Sequence, residues 1–153
     1  MKGGLYMNRQ EATQKIIEAK VAKGLTWFDI AAVTENSESW VVTALLGQAT
    51  MSRTEAEKVG KLLDLDQEVV EALTQIPHRG TVMQMPPTDP LLYRFYEALL
   101  VYGPTLKELI HEKFGEGIMS AIDFELDIQK KADPKGDRVV ITFNGKFLPY
   151  RKW

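Results

Sequence analysis

The chain has no cysteine among its 153 residues, and that one absence removes several chemistries together. Disulfides, thiolate nucleophiles, iron–sulfur clusters and cysteine-based zinc sites all need the missing thiol. Histidine is nearly as scarce. Only His78 and His111 could serve as imidazole ligands, so a metal site would have to lean on carboxylates, and no metal is expected. Long apolar runs are missing too: the longest, residues 40–46, is broken by Thr43 and falls far short of the ~18 residues that read as a membrane span. The first seven residues lack the apolar core of a signal peptide. These absences predict a cytoplasmic protein with no membrane partner. Nor does one sign of charge dominate. Residues 1–75 hold 8 Lys and Arg against 11 Asp and Glu, and residues 76–153 hold 11 against 10, so neither half is a polycation suited to nucleic acid.

What remains is the composition of an ordinary folded chain, 44% hydrophobic and 26% charged, long enough for one domain or two small ones. Four of the seven prolines fall between Ile76 and Pro90, a stretch without usable periodicity that reads as an extended connector. The expected organisation is a helical bundle over residues 1–75, a connector over 76–90 and a second domain over 91–153.

In the first domain the helices announce their starts. Asn8 stands three residues before Glu11, Thr26 three before Asp29 and Ser52 three before Glu55. In this arrangement a side-chain oxygen and a returning acid satisfy the free N–H groups of a first turn. With Gly24 and Gly47 as stops, the spacing predicts helices over 9–22, 27–33, 38–46, 53–63 and 67–75. Ile30, Val33, Val42, Leu45, Leu46, Val59, Leu62 and Leu63 supply the apolar positions.

The second domain changes character. Asp89 followed by Pro90 predicts a helix to about Val101, and Thr105 with Glu108 predicts another ending at Gly115. Residues 122–128 alternate apolar and polar, and Val139, Ile141 and Phe143 alternate again before Asn144-Gly145, which reads as a turn. The fold class is therefore α+β, with roughly three strands that each bury one face. So small a second domain has too little core to stand alone, which predicts an oligomer.

Several motifs invite a functional reading. The segment from Leu25 to Gly47 has the rhythm of a repressor-type helix-turn-helix, whose second helix would enter a major groove. Yet no Arg or Lys stands between Ser37 and Gly47, and groove reading depends on cations and amides, so a bundle sharing only the packing is the better account. Arg94 and Glu97 lie three apart on a predicted helix, where they form either a solvent-facing ion pair or a guanidinium held ready for an anion. On that helix Leu92, Phe95, Tyr96, Leu99, Leu100 and Tyr102 make a broad apolar arc opposite them. Gly115-Glu116-Gly117-Ile118-Met119-Ser120 is either a helix end and strand start or a place where backbone and hydroxyl approach a small ligand. His111 reads as a helix-end residue rather than a ligand. Asp123, Glu125 and Asp127 read as a solvated strand face rather than a cation site.

The stretches 86–97, 101–103 and 111–124, with Asn144-Gly145-Lys146-Phe147-Leu148-Pro149 near the end, together resemble the cyanase family, also called cyanate hydratases or cyanate lyases. Residues 44–48 and 76–80 extend the likeness upstream, so that it covers the chain from about Gln14 and leaves the first dozen residues and the tail 150–153 as idiosyncratic. The resemblance implies a lyase of cyanate metabolism that combines cyanate with bicarbonate to give carbamate and carbon dioxide, the carbamate then releasing ammonia and a second carbon dioxide. It implies roles in nitrogen metabolism and detoxification, with bicarbonate as a substrate and no cofactor. It places the catalytic residues at Arg94, Glu97 and Ser120. It also implies a homodecamer of five dimers, in which the C-terminal domain pairs between subunits and nucleic acid is no partner. The alternative of another class is a helix-turn-helix DNA-binding regulator with a small-anion sensor domain.

Overall fold

The computed structural model describes residues 7–153, so the expectation about a signal peptide falls, apart from Met7, outside the described residues. The chain forms two compact units, Met1–Thr81 and Val82–Trp153.

The first unit is all helix: α1 Arg9–Ala22, α2 Trp27–Ala31, α3 Glu38–Leu45, α4 Arg53–Leu63 and α5 Gln67–Leu73. All three expected capping boxes are present, with Asn8, Thr26 and Ser52 each accepting from the backbone N–H three residues on. Ile16, Ile30, Val41, Leu45, Met51, Val59, Leu63, Val69 and Leu73 are fully buried together. Their burial, at about 1.5–3 kcal/mol per large aliphatic side chain, holds these short helices, which would be marginal alone. Val33 and Leu62 are only half-buried, and Leu46, at the cap of α3, is exposed.

Arg9 closes this unit. Its guanidinium donates to the carbonyls of Ala44 at 2.8 Å, Ala49 at 2.7 Å and Ala72 at 2.7 Å. One side chain thereby adds charged donors to carbonyls at the C-terminal ends of α3 and α5, where in-helix N–H groups run out, and to that of Ala49 between them. Arg9 is consequently part of the helical unit's packing.

The capping acids make a pH prediction. The backbone N–H of Thr26, then its hydroxyl, hold the Asp29 carboxyl below the usual carboxylate range. The backbone N–H of Ser52, then the Asn36 amide, do the same for Glu55. A carboxylate with a depressed folded pKa contributes stability that is present above its unfolded value, ~4, and lost as pH falls through the folded value. Circular-dichroism melts should therefore show the helical unit weakening below about pH 4. Glu55→Gln should melt a few degrees lower at pH 7 and depend less on pH across that window.

The second unit departs from expectation in four ways. A single helix, α6 Pro90–Phe114, replaces the two expected, and it starts as foreseen on Asp89 and Pro90. Pro104 lies inside it. Proline forbids helix in the preceding residue mainly by colliding with its Cβ and N–H, and the preceding residue here is Gly103, which has no Cβ. Thr105 and Glu108 are thus interior positions and cap nothing. Second, the described residues hold two strands rather than three, β1 Gly117–Lys131 and β2 Arg138–Pro149, paired antiparallel.

Third, the turn lies elsewhere. Asn144-Gly145 is inside β2, opposite Glu125 and Phe124. The chain reverses at Asp133-Pro134-Lys135-Gly136, where Asp133 accepts from the N–H groups of Lys135 and Gly136 and Gly136 has φ +125°. Proline second and glycine fourth is the stronger turn chemistry. Fourth, the apolar faces of this unit are not buried within one chain. Its buried residues are Pro87, Gly117 and Ser120, and α6 has none. A lone hairpin and a lone helix leave their apolar sides in water, because two strands cannot cover their own face.

Candidate active site

Arg94 and Glu97 lie on the first half of α6, and the i,i+3 spacing puts them on one side. Arg94 Nη1 donates to Glu97 Oε2 at 2.8 Å. The remaining guanidinium donors have no other partner among the described residues, and the Arg94 side chain is 72% exposed. Such a pair adds only ~0.2–0.5 kcal/mol to the helix. Its chemical value is that the carboxylate holds one edge of a planar cation while the other donors stay available.

Ser120 sits inside β1 rather than at its threshold. The ladder pairs Met119 with Phe147 and then resumes with Phe124 opposite Gly145, so residues 120–123 face Lys146 alone. This is a large β-bulge, with four residues of β1 against one of β2. Ser120 Oγ accepts from the N–H of Ile122 at 3.0 Å and of Asp123 at 2.9 Å, two groups that the interrupted ladder would otherwise leave unpaired. A hydroxyl has two acceptor lone pairs and one donor hydrogen. With both lone pairs engaged, what Ser120 can still offer a ligand is its hydrogen, polarised by the two bonds it accepts. The residue is 6% exposed, so the donor is already stripped of most water. This arrangement suits a donor to an anion and does not suit a nucleophile or a proton acceptor.

Within one chain, Arg94 and Glu97 are brought together and Ser120 is not bonded to either. Two shallow concavities on this unit, of about 360 and 450 Å³, are lined by other residues. His111 is in the last turn of α6, with its Nδ1 3.2 Å from Lys107 Nζ. Asp123, Glu125 and Asp127 are exposed while Phe124 and Leu126 between them are half-buried, the solvated face that the alternation implied. Among the described residues, no group of three or more His, Asp or Glu could hold a metal ion, and no helix is long and apolar enough to cross a membrane. The bulge itself escaped the sequence reading. Its only sequence signal was Asn144-Gly145, whose glycine marks a close approach inside a strand as readily as a turn.

A five-helix unit followed by a helix-and-hairpin unit that carries an arginine–glutamate pair and a buried serine defines an α+β protein. The family model described as cyanate hydratase, N-terminal, matches residues 9–77, and that described as cyanate lyase C-terminal domain matches residues 84–152. The chain belongs to the cyanate hydratase family. It is 53% identical over 147 residues to proteins named cyanate hydratase from Thiobacillus denitrificans and Dechloromonas aromatica, covering 96% of this chain and all of each relative. A crystal structure of cyanase from T. urticae superposes with a TM-score of 0.81 at 40% identity, over 91% of this chain and 97% of that one. The matches begin at Arg9 and run through Lys152, so neither the start of the first helix nor most of the tail is peculiar to this chain. The regulator alternative finds no support in these likenesses, and α3 offers no cation to a groove.

Proposed function

We propose that this protein is a cyanate hydratase that combines cyanate with bicarbonate, yielding carbamate and carbon dioxide, after which the carbamate releases ammonia and a second carbon dioxide. Overall, one cyanate, one bicarbonate and two protons become one ammonia and two carbon dioxides. The observation that carries the reading is likeness along nearly the whole chain to proteins of that name. It is a lyase that uses no metal or organic cofactor, acts in the cytoplasm, and serves detoxification and nitrogen assimilation.

Chemically, the first obstacle is the repulsion between two anions, which calls for fixed positive charge and preorganised donors more than for a strong base. Arg94 supplies the charge and a planar set of donors. Ser120 donates to an atom on which negative charge collects, the one role its engaged lone pairs leave open. Glu97 holds Arg94 in one orientation and is not the proton carrier. One copy of each is thin equipment for two anions, so the site is assembled between subunits, with residues doubled across a two-fold axis.

The assembly is a decamer of five dimers. Its physical support is the uncovered apolar surface of the second unit, including Leu99, Leu100, Val101, Ile122, Val139 and Phe143, a surface of the kind that marks an interface. Sedimentation should find no active monomer at micromolar concentration, and dilution should lower specific activity as the assembly dissociates. An active monomer would end the shared-site reading. The function itself is tested by ammonia release from cyanate with and without bicarbonate, after prolonged dialysis against a chelator. Bicarbonate-dependent release that survives chelation is the expected result, and no ammonia from cyanate would overturn the assignment.

A further inference from the structure

We propose that Gly145 is a positioning residue for Ser120: its missing side chain is what lets β1 bulge so that the serine hydroxyl, accepting from two backbone N–H groups, keeps only its hydrogen to donate. The inference rests on the role assigned above to Ser120. Gly145 resumes the ladder opposite Phe124 where the bulge ends. A Cβ built on it would collide with the Ser120 carbonyl oxygen and come within 2.5 Å of Met119 Cγ and 3.2 Å of Met119 Sδ. The Met119 side chain could swing away, but a backbone carbonyl cannot yield without carrying its own residue along. Any side chain at 145 therefore moves Ser120 itself. The two N–H bonds to Ser120 Oγ, at 2.9 and 3.0 Å, then lengthen or bend, and the hydroxyl loses the geometry that leaves only its hydrogen on offer.

Gly145 touches no reacting group in this account and acts only through Ser120. That gives the proposal a signature which a merely structural glycine lacks. A residue acting through a partner has no effect once the partner is gone, whereas a general loss of stability or packing costs the same in either background. The experiment is a cycle of wild type, Gly145→Ala, Ser120→Ala and the double variant, assayed for bicarbonate-dependent ammonia release on proteins shown by sedimentation to keep the wild-type assembly. We expect Gly145→Ala to lower kcat at least tenfold with KM changed less than twofold, and to cost less than twofold when added to Ser120→Ala. If Gly145→Ala fails to assemble, the cycle is run in a Met119→Ala background, which clears the side-chain collisions and leaves the Ser120 carbonyl as the obstacle. Equal losses with and without the serine hydroxyl, or wild-type turnover by Gly145→Ala or by Met119→Ala with Gly145→Ala, would overturn the proposal. Wild-type turnover by Ser120→Ala would instead overturn the site reading beneath it, and absence of cyanate turnover by the wild type would overturn the function.

Discussion

Arg94→Lys is expected to keep the fold and the assembly while losing turnover by roughly 10²-fold, the scale on which a misplaced reactant costs an enzyme. The fold is spared because the side chain is 72% exposed and its only partner among the described residues is Glu97. The chemistry is not spared. Lysine keeps the positive charge, so attraction of cyanate and bicarbonate persists, but a single ammonium on a flexible stem replaces a planar fork of donors. It cannot hold two small anions at a fixed angle while a carboxylate steadies one edge. The loss should therefore fall mainly on kcat. Glu97 gives a graded companion test: Glu97→Gln keeps shape and an acceptor oxygen and should be milder than Glu97→Ala, which frees Arg94 to sample many rotamers. If Glu97→Gln instead proved the most damaging change and flattened the pH profile, Glu97 would be a proton carrier and the orienting role would be wrong.

The helical unit was legible because its signals are local. Each capping pair, Asn8 with Glu11, Thr26 with Asp29 and Ser52 with Glu55, places its own helix start without reference to the rest of the fold. Arg9 was not legible, since its three carbonyl partners lie 35 to 63 residues away in sequence. The second unit misled for the opposite reason: each local signal there had a rival. Thr105 and Glu108 have capping-box spacing, but the helix runs straight through them because Gly103 relieves the proline behind it. Asn144-Gly145 has the letters of a hairpin turn, yet Asp133-Pro134-Lys135-Gly136 takes the turn and leaves that glycine to accommodate a bulge. The alternation from Ile122 to Ile128 predicts a strand with one buried face. Ile122 is 93% exposed, and a pattern records only that a face is apolar, not which molecule covers it. As for the site, the spacing of Arg94 and Glu97 fixed their pairing. Spacing alone left Ser120 open between a strand start and a ligand donor, and only the bulge supplies a reason for the second.

That reason sets the last prediction. Ser120→Ala should keep the assembly and lose about 2.7–4 kcal/mol of transition-state stabilisation, or 10²–10³ in kcat, as when one donor is removed from an oxyanion hole. The alanine variant also strips the N–H groups of Ile122 and Asp123 of their acceptor, so it alone does not separate a lost donor from a relaxed bulge. Ser120→Cys does. Sulfur remains as a weak acceptor for the two N–H groups, while the S–H is a much poorer donor than O–H. If the bulge were the whole of the serine's contribution, the cysteine variant would recover most of the activity lost by alanine. If the donated hydrogen matters, it should stay within about tenfold of alanine and well below wild type. A nucleophilic serine predicts a third pattern, since a thiol is the better nucleophile and the cysteine variant would then accumulate a covalent adduct visible by mass spectrometry during turnover. Near-wild-type rates for both Arg94→Lys and Ser120→Ala would remove these residues from the site, even with cyanate turnover in hand.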